Sequence, residues 1–502
     1  MPEFTQASKI LVLGLDGMDP DLLLKWCDSG DLPVLAKLRE EGTWGRLQTP
    51  QGLADDAVWA SFATGTQPGV HGKYSDFQFD PNAYTETYTG ARPLLVDPFW
   101  VDLSQAGNRV AIIDVPKCPL TPGLNGIQLV DWRVHGRTGR TRSHPEELAA
   151  EVIKTYGDDQ NDIVGAEDYL CGYARLSEQG RDELHDRLLH SIDRKGRVLQ
   201  AFLKSESWNL FVAVFKESHC AGHHFWEPRA SDGSSAGEGA ERPRPVSRLK
   251  SVYKALDKAI GDVLAETDKQ TPVLIFSDLG MSDNVTGNDF LESVLLRLEP
   301  NPLFPLWEKV YSQPRIRGRL RRYLNGINRR LRTRRSAFQV HHNEISGAIR
   351  MNVEGRERRG RLLSGPALSC RLDELEHDLR DLRDPVSGEP IVAKAIRTEN
   401  LFPGTGAAQL PDLLVVWRRD LPISGAQSEK IGTIVNPSLG RRPGNHVAGG
   451  IFFARGLLHG LGEVKTTGAI TDLAPTISAA LGVKLPHAQG ELIPGLVDQV
   501  GP

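Results

Sequence analysis

Short, almost wholly apolar runs that stop on a metal-capable side chain constrain this chain most. The clearest is Val212–Trp226, VAVFKESHCAGHHFW, where small and β-branched residues give way to Glu217, His219, His223 and His224. An apolar run bounded this way reads as a strand buried on both faces, the mark of a parallel sheet. The residues just after such a strand lie at the carboxyl edge of the sheet, where open α/β folds bind their ligands. His219 and His223 are four apart and share a face on one helical turn. Two imidazoles beside a carboxylate suit a transition metal such as zinc. Read alone, the segment also fits a polar turn whose histidines bond to backbone. The pattern recurs where Ile10–Leu15 ends in Asp16 and where Pro272–Ser277 ends in Asp278. Three independent occurrences point to one shared site.

The rest of the chain alternates such runs with helical patterns. Pro20 opens a helix with Asp19 as its N-cap, and Pro33 opens a second. Arg109–Val115 and Gly126–Asp131 read as strands, 144–205 as mostly helical, and Val246–Glu266 as an amphipathic helix. Gly347–Val353 is expected to rejoin the sheet, with Leu413–Trp417 as another core strand. Ala230–Pro245, rich in Gly, Ser and Pro, reads as a surface loop. Segment 315–335 carries ten arginines. With its apolar spacing it reads as a solvated helix in an insertion, a lid that gathers an anionic substrate, or a contact for an anionic partner.

Each candidate site residue has a second reading. Asp16 can cap the turn after its strand. Asp55 and Asp56 are adjacent carboxylates, so at least one should meet a cation or solvent; either could instead cap the helix around Trp59. His71, between Val70 and Gly72, is a ligand or a lock on a turn. His446 falls in a loop just before the strand Gly449–Ala454, and Asp472 caps the helix Ile470–Ala480.

Composition narrows the classes. The 502 residues allow two to four domains or one large α/β domain with insertions, and an apolar fraction of 39% is ample for a core. A formal charge of −4 gives no global case for a nucleic-acid partner. Five scattered cysteines do not make a disulfide framework. No apolar run reaches the ~18–20 residues of a membrane span, and the first residues lead straight into a strand. A cytoplasmic location is expected.

Strung together, LGLDGMD (13–19), WASFATGTQPGVHG (59–72), FKESHCAGHHFW (215–226), VLIFSDLGM (273–281), GNHVAGG (444–450) and ITDLAPTISAALGV (470–483) resemble the alkaline phosphatase superfamily, in its type I phosphodiesterase/nucleotide pyrophosphatase branch. The resemblance implies a doubly wound, mostly parallel α/β sheet flanked by helices. It also implies a catalytic core of 1–290 and 346–502 with an Arg-rich cap insertion at 291–345. In that family two metal ions, usually zinc, flank a nucleophile. Carried over, Asp16 matches the aspartate of the first strand, and His223 the histidine of an Asp-x-x-x-His pair. Asp278 matches the aspartate of an Asp-His pair, and His446 the late histidine. Three positions depart. Asp55, with Asp56 next to it, stands where the family has a Ser or Thr nucleophile. His219 replaces the aspartate partner of His223, and Leu279 replaces the histidine after Asp278.

These departures make one metal position rich in imidazole (His219, His223, His446) and leave the other rich in oxygen (Asp16, Asp278), open to Mn or Mg as well as Zn. A three-histidine site keeps a place for water. Glu217 is a further ligand or orients His219 from behind. Three mechanisms stay open: attack on phosphorus by Asp55 or Asp56; attack by a water that the cation activates, with these aspartates as ligands or bases; or a site that has lost hydrolysis. The expected activity is metal-dependent hydrolysis of a small-molecule phosphate ester, a diester before a monoester. The alternatives are a sulfatase-like or phosphoryl-transfer enzyme and a non-hydrolytic metal binder with an anionic partner. Against a sulfatase, no Cys-x-Pro-x-Arg or Ser-x-Pro-x-Arg motif lies near 55–65.

Overall fold

Residue parity along the central strands decides the layers. The computed structural model describes residues 7–497 apart from 76, 90–92, 133–140, 158–174, 228–246, 300–327, 438–440, 458–461 and 464–466. The main sheet is built from β1 (Ile10–Leu15), β2 (Thr43–Gln48), β3 (Val110–Ile113), β4 (Gly126–Val130), β5 (Arg142–His144), β6 (Leu210–Phe215), β7 (Val273–Ser277), β8 (Gly450–Arg455), β9 (Gly462–Glu463) and β10 (Gly468–Ala469). Its order is β9-β2-β8-β7-β1-β6-β3-β4-β5, with β10 also on β2. The run β7-β1-β6-β3-β4 is parallel throughout, while β8 is antiparallel to both its neighbours.

The apolar strands β1, β6 and β7 are buried along their whole length. Successive side chains point to opposite faces, so Leu11, Leu13, Leu15, Phe211 and Phe215 pack on one side. Ile10, Val12, Val212 and Val214 pack on the other. Helices cover both faces: α1 (Pro20–Asp28), α2 (Pro33–Glu41), α4 (Glu178–Ser205), α5 (Glu217–Phe225) and α6 (Arg248–Leu264) on the first, α3 (Asp55–Thr64) and α7 (Leu473–Ala480) on the second. The doubly wound arrangement expected from the sequence is present.

Two expectations change. Gly347–Val353 does not rejoin the main sheet. Ala337–Val340, Ser346–Met351, Leu413–Trp417 and Val392–Arg397 pair, in that order and all antiparallel, in a separate four-stranded sheet. This sheet has its own apolar cluster, with Leu291, Val294, Ile349, Leu375, Leu379, Val415 and Trp417. A buried apolar strand looks the same in either sheet, so periodicity alone could not choose. The expected helical region 144–205 begins with extended residues in β5, then holds Leu148–Tyr156 and α4. The loop at 230–245 and residues 315–327 of the Arg-rich segment lie outside the described residues. Of the arginines beyond them, Arg332 binds Glu86 and Arg335 is buried against Glu292. No helix among the described residues is long and apolar enough to cross a membrane.

A buried ionic cluster ties the carboxyl edge of the sheet to α4. Lys195 Nζ donates to Asp114 Oδ2 at 3.0 Å and to the Val214 carbonyl at 2.9 Å. Lys216 Nζ donates to Asp114 Oδ1 at 2.9 Å. These side chains are no more than 3% exposed, so removing one partner would strand a charge and cost about 3–5 kcal/mol. The cluster holds the junction of β6 and α5, where the histidine segment begins.

Helix α2 shows how distant elements share one task. Its N-cap residue, Leu32, offers no side-chain bond. Asp257 on α6 takes over, accepting from the Val34 and Leu35 amides at 3.1 and 2.9 Å. Asp257→Ala should leave those amides buried and unpaired and lose about 1–2 kcal/mol. The measurement is a urea unfolding curve with a lower midpoint and an unchanged slope.

Candidate metal centre

Chain reversal at the ends of β1, β6 and β7 brings the site together. Asp16 follows β1, α5 follows β6 with almost no loop, and Asp278 follows β7. His446 sits in a short strand, Gly444–Val447, that pairs antiparallel with Gly280–Asp283. It is therefore in a strand, where the sequence suggested a loop before one. Asp16, His219, His223, Asp278 and His446 are all buried.

The three imidazoles form the centre. Ligand nitrogens of His219, His223 and His446 lie within 4.8 Å of one another, the one such cluster among the described residues. The hydrogen bonds behind them assign the ring protons. His223 Nδ1 lies 3.0 Å from the Gly444 carbonyl oxygen, which can only accept, so Nδ1 carries the proton and Nε2 a lone pair. His219 Nδ1 faces Asp16 Oδ1 at 3.2 Å, and against a carboxylate the same assignment holds. The two Nε2 atoms then confront each other at 3.1 Å, lone pair to lone pair. A proton or a cation must lie between them. Burial, then Arg442, His219 and His446, push the His223 pKa well below its ordinary value, which disfavours the proton. In a tetrahedral site with bonds of about 2.0–2.1 Å, ligand atoms stand roughly 3.3 Å apart. The residues present fit a zinc-like cation.

The carboxylates adjoin this cluster. Asp16 Oδ1 also accepts from Trp59 Nε1 at 3.3 Å, and Asp16 Oδ2 is buried without a hydrogen-bond partner. Gly17, at φ +63°, donates its amide to Asp278 Oδ1 at 2.8 Å. A Cβ on Gly17 would lie 3.2 Å from His446 Cε1 and 3.3 Å from His219 Cα. One glycine thus adjoins His219, His446 and the Asp278 carboxylate.

The remaining expectations are placed differently. Asp55 and Asp56 open α3, but its N-cap position is Ala54, so neither caps it from there. The Asp55 side chain lies outside the described set. Asp56 Oδ1 meets a cation, Lys117 Nζ, at 3.1 Å. Glu217 does not orient His219: its Oε1 accepts from Ser191 at 2.6 Å and lies 3.7 Å from Lys195. Asp16 takes the orienting role instead. His71 is a lock on a turn, accepting at Nδ1 from the Lys73 amide at 3.1 Å and reaching Ser61 Oγ through Nε2 at 3.0 Å. Leu279 is buried in the apolar core.

Sequence reasoning missed Glu344. Its Oε2 lies 3.5 Å from His223 Nε2, 3.9 Å from His446 Nε2 and 2.7 Å from Arg442 Nη2. Burial would push this carboxyl up, but Arg442, His446, His219 and His342 outweigh it and hold it at about 2. The stretch HHNE (341–344) was the available signal, and it carries no periodicity that would tie it to the sheet edge.

Two glycines let the pieces close. A Cβ on Gly444 would stand 2.0 Å from the Gly222 carbonyl oxygen, and one on Gly222 only 2.3 Å from Met281 Cε. Gly444→Ala should wedge the His446 strand off α5 and pull one imidazole from the cluster. The expected outcome is a fold that survives by circular dichroism, with zinc affinity at least about 10-fold weaker by calorimetric titration.

Comparisons with known proteins bear on the family and the fold. The sequence profile of the type I phosphodiesterase / nucleotide pyrophosphatase family matches residues 10–433. No curated protein matches the sequence significantly. Among solved structures, an inactive form of murine ectonucleotide pyrophosphatase/phosphodiesterase 5 in complex with AMP is similar, with a TM-score of 0.50, 14% identity, and coverage of 96% of this chain and 97% of that one. The human counterpart gives 0.50, 13%, and 95% and 96%. Phosphonoacetate hydrolase from Sinorhizobium meliloti, in complex with phosphonoformate, gives 0.48, 12%, and 96% of each chain. The likeness to the two phosphodiesterases is one of fold, alkaline phosphatase-like with a large and mostly parallel sheet. With most of its length inside the family profile, the chain belongs to the type I phosphodiesterase/nucleotide pyrophosphatase family.

Proposed function

We propose that this protein is a metal-dependent phosphodiesterase acting on a small-molecule phosphate ester or nucleotide. The observation that carries the reading is the pair of imidazole lone pairs 3.1 Å apart in a buried cluster, beside carboxylates that end two neighbouring strands. His219, His223 and His446 would hold one cation, zinc by donor chemistry; Asp16 and Asp278 would hold a second, for which Mn or Mg also serves. Bound there, a cation supplies Lewis acidity toward phosphoryl oxygen and lowers the pKa of water.

The chain's own groups divide the remaining work. Asp16 keeps the His219 ring turned so that Nε2 faces the cluster, and the Gly444 carbonyl does the same for His223. Lys117 holds Asp56 and sets a positive charge at the first turn of α3, which suits a phosphoryl group losing its solvent. Asp55 occupies the register of the family's nucleophile and serves as nucleophile, base or ligand. A second reading, metal binding without hydrolysis, is favoured by Leu279, an apolar core residue where the family has an imidazole ligand.

The test pairs metal analysis of the purified protein with turnover of bis(p-nitrophenyl) phosphate and p-nitrophenyl phosphate. We expect bound zinc, faster diester cleavage, and loss of turnover on chelation. Removing a residue that merely supports a ligand costs about 10–100-fold, so His223→Ala should cost about 100-fold or more. Turnover that survives Asp55→Ala but not His223→Ala points to activated water; the reverse loss points to a carboxylate nucleophile. Metal without turnover on any ester selects the second reading.

A further inference from the structure

We infer that Glu344 is a fourth ligand at the three-histidine cluster, delivered to it by the loop that joins the strands Ala337–Val340 and Ser346–Met351 of the second sheet. The inference rests on the metal-binding reading above. His223 Nε2, the nitrogen with the lone pair, has His219 Nε2 at 3.1 Å and Glu344 Oε2 at 3.5 Å. Glu344 Oε2 stands 3.9 Å from His446 Nε2. These separations bracket the roughly 3.3 Å edge of a tetrahedral zinc site. A carboxylate oxygen set against an imidazole lone pair is two acceptors face to face. An ion pair with Arg442 alone does not account for that placement, whereas a shared cation does.

The backbone is arranged to hold the carboxylate there. Glu344 sits at φ +70°, a left-handed conformation that is strained for a residue other than glycine. It is pinned from three sides. Its amide donates to His342 Nδ1 at 3.1 Å, and its carbonyl accepts from Asn445 Nδ2 at 3.0 Å. Its Oε2 accepts from Arg442 Nη2 at 2.7 Å, and that guanidinium is 1% exposed. Arg442 and Asn445 both precede His446 closely in sequence, so the segment that brings the third imidazole also aims the carboxylate. Strain held by such contacts is the mark of a functional position. With three imidazoles and Glu344 the position is filled, and the oxygen-rich pair Asp16 and Asp278 is where an open place for substrate remains.

Cobalt(II) and zinc binding to the full chain test this. Glu344→Gln keeps the size of the side chain and the bond to Arg442 but removes the charge; Glu344→Asp keeps the charge and shortens the reach. His223→Ala serves as the reference for a lost ligand. The parent should give the strong visible absorption of four-coordinate cobalt, and X-ray absorption of the zinc form should count four nitrogen or oxygen neighbours. Glu344→Gln should shift the cobalt bands and weaken zinc binding about 100-fold; Glu344→Asp should shift them in the same direction. A cobalt spectrum in both variants identical to the parent's, whatever the affinity, overturns the inference, because the carboxylate then does not touch the ion. If His223→Ala loses the metal while Glu344→Gln leaves spectrum and affinity unchanged, only this inference falls. If the parent binds neither metal, the proposed function falls with it.

Discussion

Everything at the site depends on how closely two backbones can approach where α5 meets the strand of His446. Gly222 and Gly444 face each other with no room for a methyl group on Gly444. That contact lets the Gly444 carbonyl take the His223 ring proton, which turns Nε2 inward. It also sets His446 against His219 and His223, with ring centroids 4.5 and 4.7 Å away. Three buried imidazoles crowd together with their ring nitrogens turned toward one another. Such a cluster is poorly satisfied by the protein alone and well satisfied by a cation.

The scaffold explains why so few bonds suffice to aim these groups. Parallel strands buried on both faces end at one edge, so Asp16, the start of α5 and Asp278 emerge side by side without long connections. Behind them Lys195, Lys216 and Asp114 lock β6 and α4 to β3. Tyr253 on α6 accepts from the Asp19 amide at 2.7 Å and so steadies the loop after Asp16. The positions are set by packed, hydrogen-bonded elements, as preorganised centres require.

A second, four-stranded sheet stands beside the main one. Ser346–Met351 is buried along its whole length like β1, and Leu413–Trp417 nearly so, yet they pair with each other and enclose a separate core. The loop between its strands Ala337–Val340 and Ser346–Met351 carries Glu344 to the histidine cluster, while Arg419 returns from the sheet to the His446 carbonyl and to Ser282. The two sheets therefore share the site through polar contacts at its rim. A cation held from both sides would couple them.

The sequence by itself determined the scaffold and named most of the candidate donors. Apolar runs of strand length ending in Asp16, Glu217–His219 and Asp278 left few ways to fold, and the spacing of His219 and His223 suited one face of a helical turn. It also determined the departures at Asp55, His219 and Leu279, which are plain substitutions within matched motifs. Only the tertiary structure decided which sheet Ser346–Met351 joins, that Asp16 rather than Glu217 backs His219, that Lys117 meets Asp56, and that Glu344 faces the cluster. The physical reason is common to all four. Periodicity reports burial along one element, whereas a partner far along the chain is chosen by how the elements pack, and no local pattern encodes that choice.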